Sequence, residues 1–249
     1  MAVSVPQQHD YLYQPSVPWV RDLVDDVINP WREKALNHPF IQAVSAGQVS
    51  REALARTHSE VLWVVTAFPE IIAALASRCP KYDHEMKTKL LLNAYEEHSH
   101  PRLLANFINA IGGDGDRILY DNEWTYEPSD WAWHTKAWMD TCAYHLPWNE
   151  ALAGTAVGIE AIVPTIFYPI MQALRTHYGM TDEQLAWHEI HAGEVEQEHG
   201  NEGLRLLEKY VDSKDTALVN RCRRAVDRTM KSQAQEFLDM AWAFATGKS

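Results

Sequence analysis

The chain has 249 residues, 46% of them hydrophobic, with 11 Gly and 12 Pro, the composition of an ordinary globular protein with enough length for a buried core. Its formal charge of −12, from 34 acids against 22 bases, argues against a nucleic-acid partner, because phosphate binding needs a basic stripe. The longest apolar stretches, Val61–Phe68 and Ala161–Tyr168, fall short of the roughly 20 residues that span a bilayer, so no membrane segment is expected.

From the N-terminus, Met1–Pro18 is polar and Pro-bearing, without the basic and apolar halves of a signal peptide. It is expected as a flexible segment (1–18) ahead of one all-α domain (19–249). Cys79, Cys142 and Cys222 are far apart and odd in number, which fits packed thiols in a reducing cytoplasm rather than a disulfide framework. Helices are expected at about 18–36, 50–77, 82–111, 129–146, 148–178, 182–211 and 214–246, about seven in all. Ser50 is placed to cap the second. Gly112, Gly113 and Gly115 end the third, and a loop to about Ser129 follows. Gly179 should stop the fifth, and Thr181 with Gln184 forms a capping box for the sixth. No stretch alternates long enough for a sheet, and no fixed period suggests a solenoid.

Two segments concentrate metal-ligating residues. In His188-Glu-Ile-His191-Ala-Gly-Glu194-Val-Glu196-Gln-Glu198-His199, the three histidines fall within about an 80° arc of a regular helix, on the side of Val195. A solvated acidic face is the competing reading. In Tyr95-Glu96-Glu97-His98-Ser99-His100, Glu97 and His100 are spaced i, i+3 and can reach one ion; Glu196 and His199 repeat that spacing. Glu160 is the only charged residue of Ala156–Phe167, and Glu60 precedes the apolar run 61–68. A buried carboxylate needs a partner, a hydrogen bond or a metal, so an Arg or Tyr partner remains the other reading of each. Glu60 precedes Glu97 by 37 residues and Glu160 precedes Glu196 by 36. Four carboxylates and two imidazoles are the set by which helical bundles hold two irons or manganese ions, and His191, with or without His188, adds another imidazole.

The order of these features resembles the haem-oxygenase-like di-iron oxidases and oxygenases, relatives of the thiaminase-type and pyrroloquinoline-quinone-synthase-type helical proteins. The resemblance covers about residues 25–211. It rests on His38-Pro39-Phe40 with Gly47 and Ser50, Phe68-Pro69, Glu96-Glu97 leading into His100-Pro101, Glu160 with Pro164, and the His-acid-His helix with Gly203-Leu-Arg-Leu-Leu207. It implies a single haem-oxygenase-like bundle in which Glu60, Glu97, His100, Glu160, His191, Glu196 and His199 surround two Fe(II) ions, with Mn as the alternative metal. Two departures stand out. The family's H-x-x-x-D-x-x-H pattern would need the first His at Ala192, so a π-bulge near Gly193 is expected to bring His191 into register. Otherwise Glu194 or Glu198 is the working carboxylate. Asn93 stands seven residues before His100 where many members have Glu, so Glu97 must serve, with Glu96 as the fallback. Thr165 stands where the thiaminase branch has its Cys, which argues against that branch.

The resemblance further implies an O₂-dependent oxidation of a small amine or amino-acid-derived metabolite, by N-oxygenation or oxidative C–C or C–N fragmentation, with an external electron donor and a homodimer as expected partners. Trp124, Trp138 and Tyr168 are the candidate substrate contacts, although core or dimer packing is the other reading of the Trp cluster before Glu160. Two rival readings remain: a ferritin-like di-iron oxidase or iron-handling protein, and a non-catalytic helical binding or regulatory protein.

Overall fold

The computed structural model describes residues 13–120 and 127–248, apart from the side chains at 194–197. The described residues are helical, with no strand among them. Helix α1 (18–36) carries a π-turn at Val24–Ile28; α2 is Pro39–Ser45, α3 Arg51–Val65 and α4 Phe68–Arg78. Next come α5 (His84–Glu97), α6 (His100–Ile111), α7 (Gly115–Tyr120) and α8 (Asp130–Tyr144). The chain continues through α9 (148–157, closing in a π-turn), α10 (Val163–Tyr178), α11 (Ala186–Ala192) and α12 (Glu194–Tyr210). The last, α13 (216–246), holds a π-turn at Ser232–Phe237.

There are thus more helices than seven. Four of the expected seven are broken, and α2 and α7 are additional. Each break has a local cause. Pro69 opens α4, Pro101 opens α6 and Pro164 opens α10, each within the first two helical positions, where the missing N–H costs nothing. The expected caps form: Ser50 accepts from Ala53 N at 3.1 Å, and Gly112 and Gly179 adopt φ of 101° and 66°. Thr181 and Gln184 bond reciprocally, but residues 182–185 make turns and the helix starts only at Ala186.

Buried apolar side chains from Trp19 to Ala241 form one contiguous core. Helix α3 packs against α6, α8 and the end of α13, and α11 lies against α6 and α10. The stretch 51–78 is long and apolar enough, by length and composition only, to cross a membrane; 56% of its most apolar window is buried inside the fold, as befits core helices. Residues 13–17, expected within a flexible segment, are held: Tyr13 Oη bonds Glu208, and Val17 N donates to Glu208 Oε1 at 2.7 Å. Cys79, Cys142 and Cys222 are buried and free, and burial pushes the Cys142 and Cys222 thiols up to about 12.

Candidate metal centre

Three of the seven sequence-derived ligands meet directly. Glu97, His100 and His191 each offer a ligating atom, and these atoms lie within 4.8 Å of one another. All three are buried. His100 Nδ1 lies 2.7 Å from Glu97 Oε2, and the His100 and His191 rings meet edge-on at 4.8 Å. His191 donates from Nδ1 to the Trp187 carbonyl at 2.7 Å and stacks on the Trp187 ring at 4.0 Å. That bond selects the tautomer whose Nε2 carries the ligating lone pair.

Helix breaks do the positioning. Glu97 is the last residue of α5 and His100 the first of α6, so the E-x-x-H spacing bridges an interruption rather than riding one helix as expected. A carboxylate at a helix C-terminus faces the negative end of the helix dipole, which favours a cation there. Glu160 lies not on a helix but in the turns between α9 and α10. Gly203 lets α12 approach that region closely, since a Cβ there would stand 2.8 Å from the Ala156 carbonyl oxygen. The neighbouring Gly200 lies against the Glu160 backbone, and the half-buried His199 precedes it on α12.

The expected π-bulge near Gly193 is instead a clean break. Gly193 has ψ of −176° and separates α11 from α12, and a Cβ there would lie 2.8 Å from the Glu189 carbonyl oxygen. An extended residue absorbs the extra residue between His191 and Glu196 without under-winding the helix. The side chains of Glu194 and Glu196 lie outside the described residues. Glu198 binds Arg205 at 2.7 Å and is more than half exposed.

Glu160 and Glu97 join His191 on the wall of a cavity of about 70 Å³. Its remaining lining is Val61, Val64, Val65, Phe68, Trp131, Met139, Ile159, Val163, Phe167, Trp187, Phe237 and Gln233. Glu60 is not brought into this group. It is fully buried, yet its Oε2 accepts from Ser129 N and Oγ, both at 2.9 Å, and its Oε1 pairs with Arg56 at 3.2 Å. Burial pushes its carboxyl up, while the Ser129 bonds and Arg56 oppose that. The structure therefore gives Glu60 the Arg-partnered reading. Trp138 and Tyr168 do not line the cavity; Trp138 Nε1 donates to Thr229 Oγ1 at 2.7 Å. Trp124 lies outside the described residues.

The residues missed in the sequence are Gln233 and the apolar wall. Gln233 sits in a polar stretch with nothing to mark it, and only the π-turn of α13 places it with Phe237 on the cavity. Also missed was the pairing of His188, whose Nε2 meets His58 Nε2 at 3.0 Å in a fully buried contact.

Buried carboxylates and imidazoles, with no cysteine, are hard-to-borderline donors that fit Fe(II) or Mn(II), so the residues present suit an iron site. Comparison with known proteins agrees. Residues 58–234 match a family described as iron-containing redox enzymes. The chain is 26% identical over 227 residues to a 4-aminobenzoate synthase of Chlamydia muridarum, covering 88% of this chain and 90% of that one. It is also 26% identical to a 4-aminobenzoate synthase of Nitrosomonas europaea, over 84% of this chain and 87% of that one. Among solved structures, a TenA homologue from Pseudomonas syringae superposes with a TM-score of 0.79 at 17% identity, covering 90% of this chain and 93% of that one. A protein with a heme oxygenase-like fold from Shewanella denitrificans gives 0.74 at 17% identity, covering 90% and 91%. The expected all-α, haem-oxygenase-like architecture is therefore the one observed, and the chain belongs to the family of iron-containing redox enzymes.

Proposed function

We propose that the chain is an O₂-dependent di-iron oxidase or oxygenase acting on a small amine-bearing metabolite. The observation that carries this reading is the buried convergence of Glu97, His100 and His191 beside an apolar cavity that Glu160 also lines. Glu97, His100, Glu160 and His191 would hold iron, with Glu196 and His199 of α12 completing the set. Iron held by such oxygen and nitrogen donors, with open positions, binds and reduces O₂.

The chain's own part is to hold and shield. Trp187 fixes the His191 ring by stacking and by the carbonyl bond to Nδ1, which keeps Nε2 directed to the metal side. Val61, Val64, Phe68, Phe167 and Phe237 exclude water from the cavity, which strengthens electrostatics inside it and protects a reactive oxidant. An amine substrate suits a wall whose charged residues are acids. The relatives are named as synthases of 4-aminobenzoate, an aromatic amine, so their product supports amine chemistry without fixing the substrate or the reaction; N-oxygenation and oxidative fragmentation are both compatible with it.

The test is an anaerobic Fe(II) titration followed by O₂. Close to two irons per chain, and O₂ uptake that rises with amine substrates, are the expected results. Failure to bind iron, or O₂ uptake indifferent to every amine offered, would overturn the reading.

A further inference from the structure

We propose that Gln233 is the specificity-determining contact of the cavity, and that it selects an amine on an aromatic or alkyl body whose far end carries a neutral hydrogen-bonding group rather than a carboxylate. This deepens the reading above, because it takes the cavity to be the chamber where that oxidation occurs.

Apart from the indole N–H groups of Trp131 and Trp187, the wall has four polar side chains among the described residues. Three of them, Glu97, Glu160 and His191, belong to the candidate metal centre, and the fourth is Gln233. No Lys or Arg lines the cavity among the described residues. A substrate carboxylate directed away from the metal would therefore be buried without a cationic partner, in a chamber already facing two acids. An amide, hydroxyl or similar neutral group meets no such penalty.

Gln233 is held as a recognition group would be. Its backbone lies in the Ser232–Phe237 π-turn, clamped on one side by Ser232. The Ser232 carbonyl accepts from Trp131 Nε1 at 3.1 Å, and the Ser232 hydroxyl meets Thr135 Oγ1 at 2.8 Å. Its near neighbour Gln235 is used up by Lys34 at 2.8 Å. The Gln233 carboxamide, half-buried, makes no hydrogen bond to the protein among the described residues. It thus keeps both a donor and an acceptor for a ligand, and a polar group left unpaired discriminates against analogues that cannot bond it.

The experiment is calorimetric binding of three probes that differ only at the end opposite the amine: 4-aminobenzamide, 4-methylaniline and 4-aminobenzoate. Metal-free protein and anaerobic Fe(II)-loaded protein are both titrated. The wild type should bind the amide about tenfold more tightly than either of the others. Gln233→Leu should abolish the advantage of the amide over the methyl probe. Gln233→Lys should reverse the order of amide and carboxylate. Equal or tighter binding of 4-aminobenzoate by the wild type would overturn the proposal. So would an amide preference that survives in Gln233→Leu, or no binding of any probe. Because the order of affinities is read without metal as well, an intact order in protein that takes up no iron would strike the di-iron reading and leave this one standing.

Discussion

Two pairs of histidine rings meet along a single helix one turn apart, and they do different work. His188 and His58 face each other with ring centroids 5.0 Å apart, hemmed by Phe107, Phe167 and Trp187. His191 and His100 face each other at 4.8 Å, beside Glu97 and the cavity. In the first pair His58 Nδ1 donates to the Leu54 carbonyl, so its Nε2 accepts from His188, and burial drives both histidines toward the neutral form. The first pair is a packing joint between α3 and α11. Among the described residues, the second has what the first lacks, a carboxylate within reach and an open space alongside. Such company, more than spacing alone, is what makes the second pair a candidate for holding a metal.

The sharpest way to break this contrast is to attack the second pair. Glu97→Gln and His191→Asn should each weaken Fe(II) binding by more than about 100-fold, since even the loss of an outer-shell partner costs 10- to 100-fold. Anaerobic titration reads this, with circular dichroism to show that the helices persist. Iron uptake at the wild-type level in both variants would dissolve the distinction.

His188→Ala should do the reverse. Removing a buried ring that bridges two helices should cost about 3 kcal/mol in denaturant unfolding, with iron stoichiometry unchanged. A loss of iron there would make the two pairs one unit.

Acid should also find the first pair. His58 is held down from 6.5 to about 4, so between those values the unfolded chain binds a proton that the folded chain refuses. Stability is then full above pH 6.5 and falls as the pH drops. About 2 kcal/mol should be gone by pH 5 in chelator-treated protein, by the worth of about 1.4 kcal/mol per pH step. Urea unfolding at several pH values measures this, and His58→Phe should flatten the slope.

The smallest effect concerns Glu60. Glu60→Gln keeps an acceptor for Ser129 and loses only the attraction of the partly exposed Arg56, so stability should change by about 1 kcal/mol. Iron stoichiometry should not change. Loss of one iron per chain would return Glu60 to the ligand set.

Much of the fold was legible residue by residue. The caps at Ser50, Gly112 and Gly179 mark helix ends because the chemistry of a cap is local. Helix α2 was not, although His38 caps it by accepting from Phe40 N at 3.2 Å; at seven residues it is too short to show a period. The prolines at 101 and 164 fall inside longer expected helices (82–111 and 148–178), yet each starts a new one. Glu97 and His100 are marked by their i, i+3 spacing, His191 by sharing a helical arc with two other histidines, and Glu160 by being a lone carboxylate among apolar neighbours. Glu60 has the same mark as Glu160, a carboxylate beside an apolar run, and nothing nearby in sequence foretells Ser129, which comes 69 positions later.

By itself, then, the sequence determined the helical class, the donor types and the hard-ligand chemistry, since these depend on periodicity and on side-chain identity. Only the tertiary structure decided which donors converge. Glu97, His100, Glu160 and His191 all stand at helix ends or between helices, where the 100° step that governs a helix face no longer says where a side chain points. The partner of Glu60 and the place of Gln233 were settled in the same way, by contacts between segments far apart in the chain.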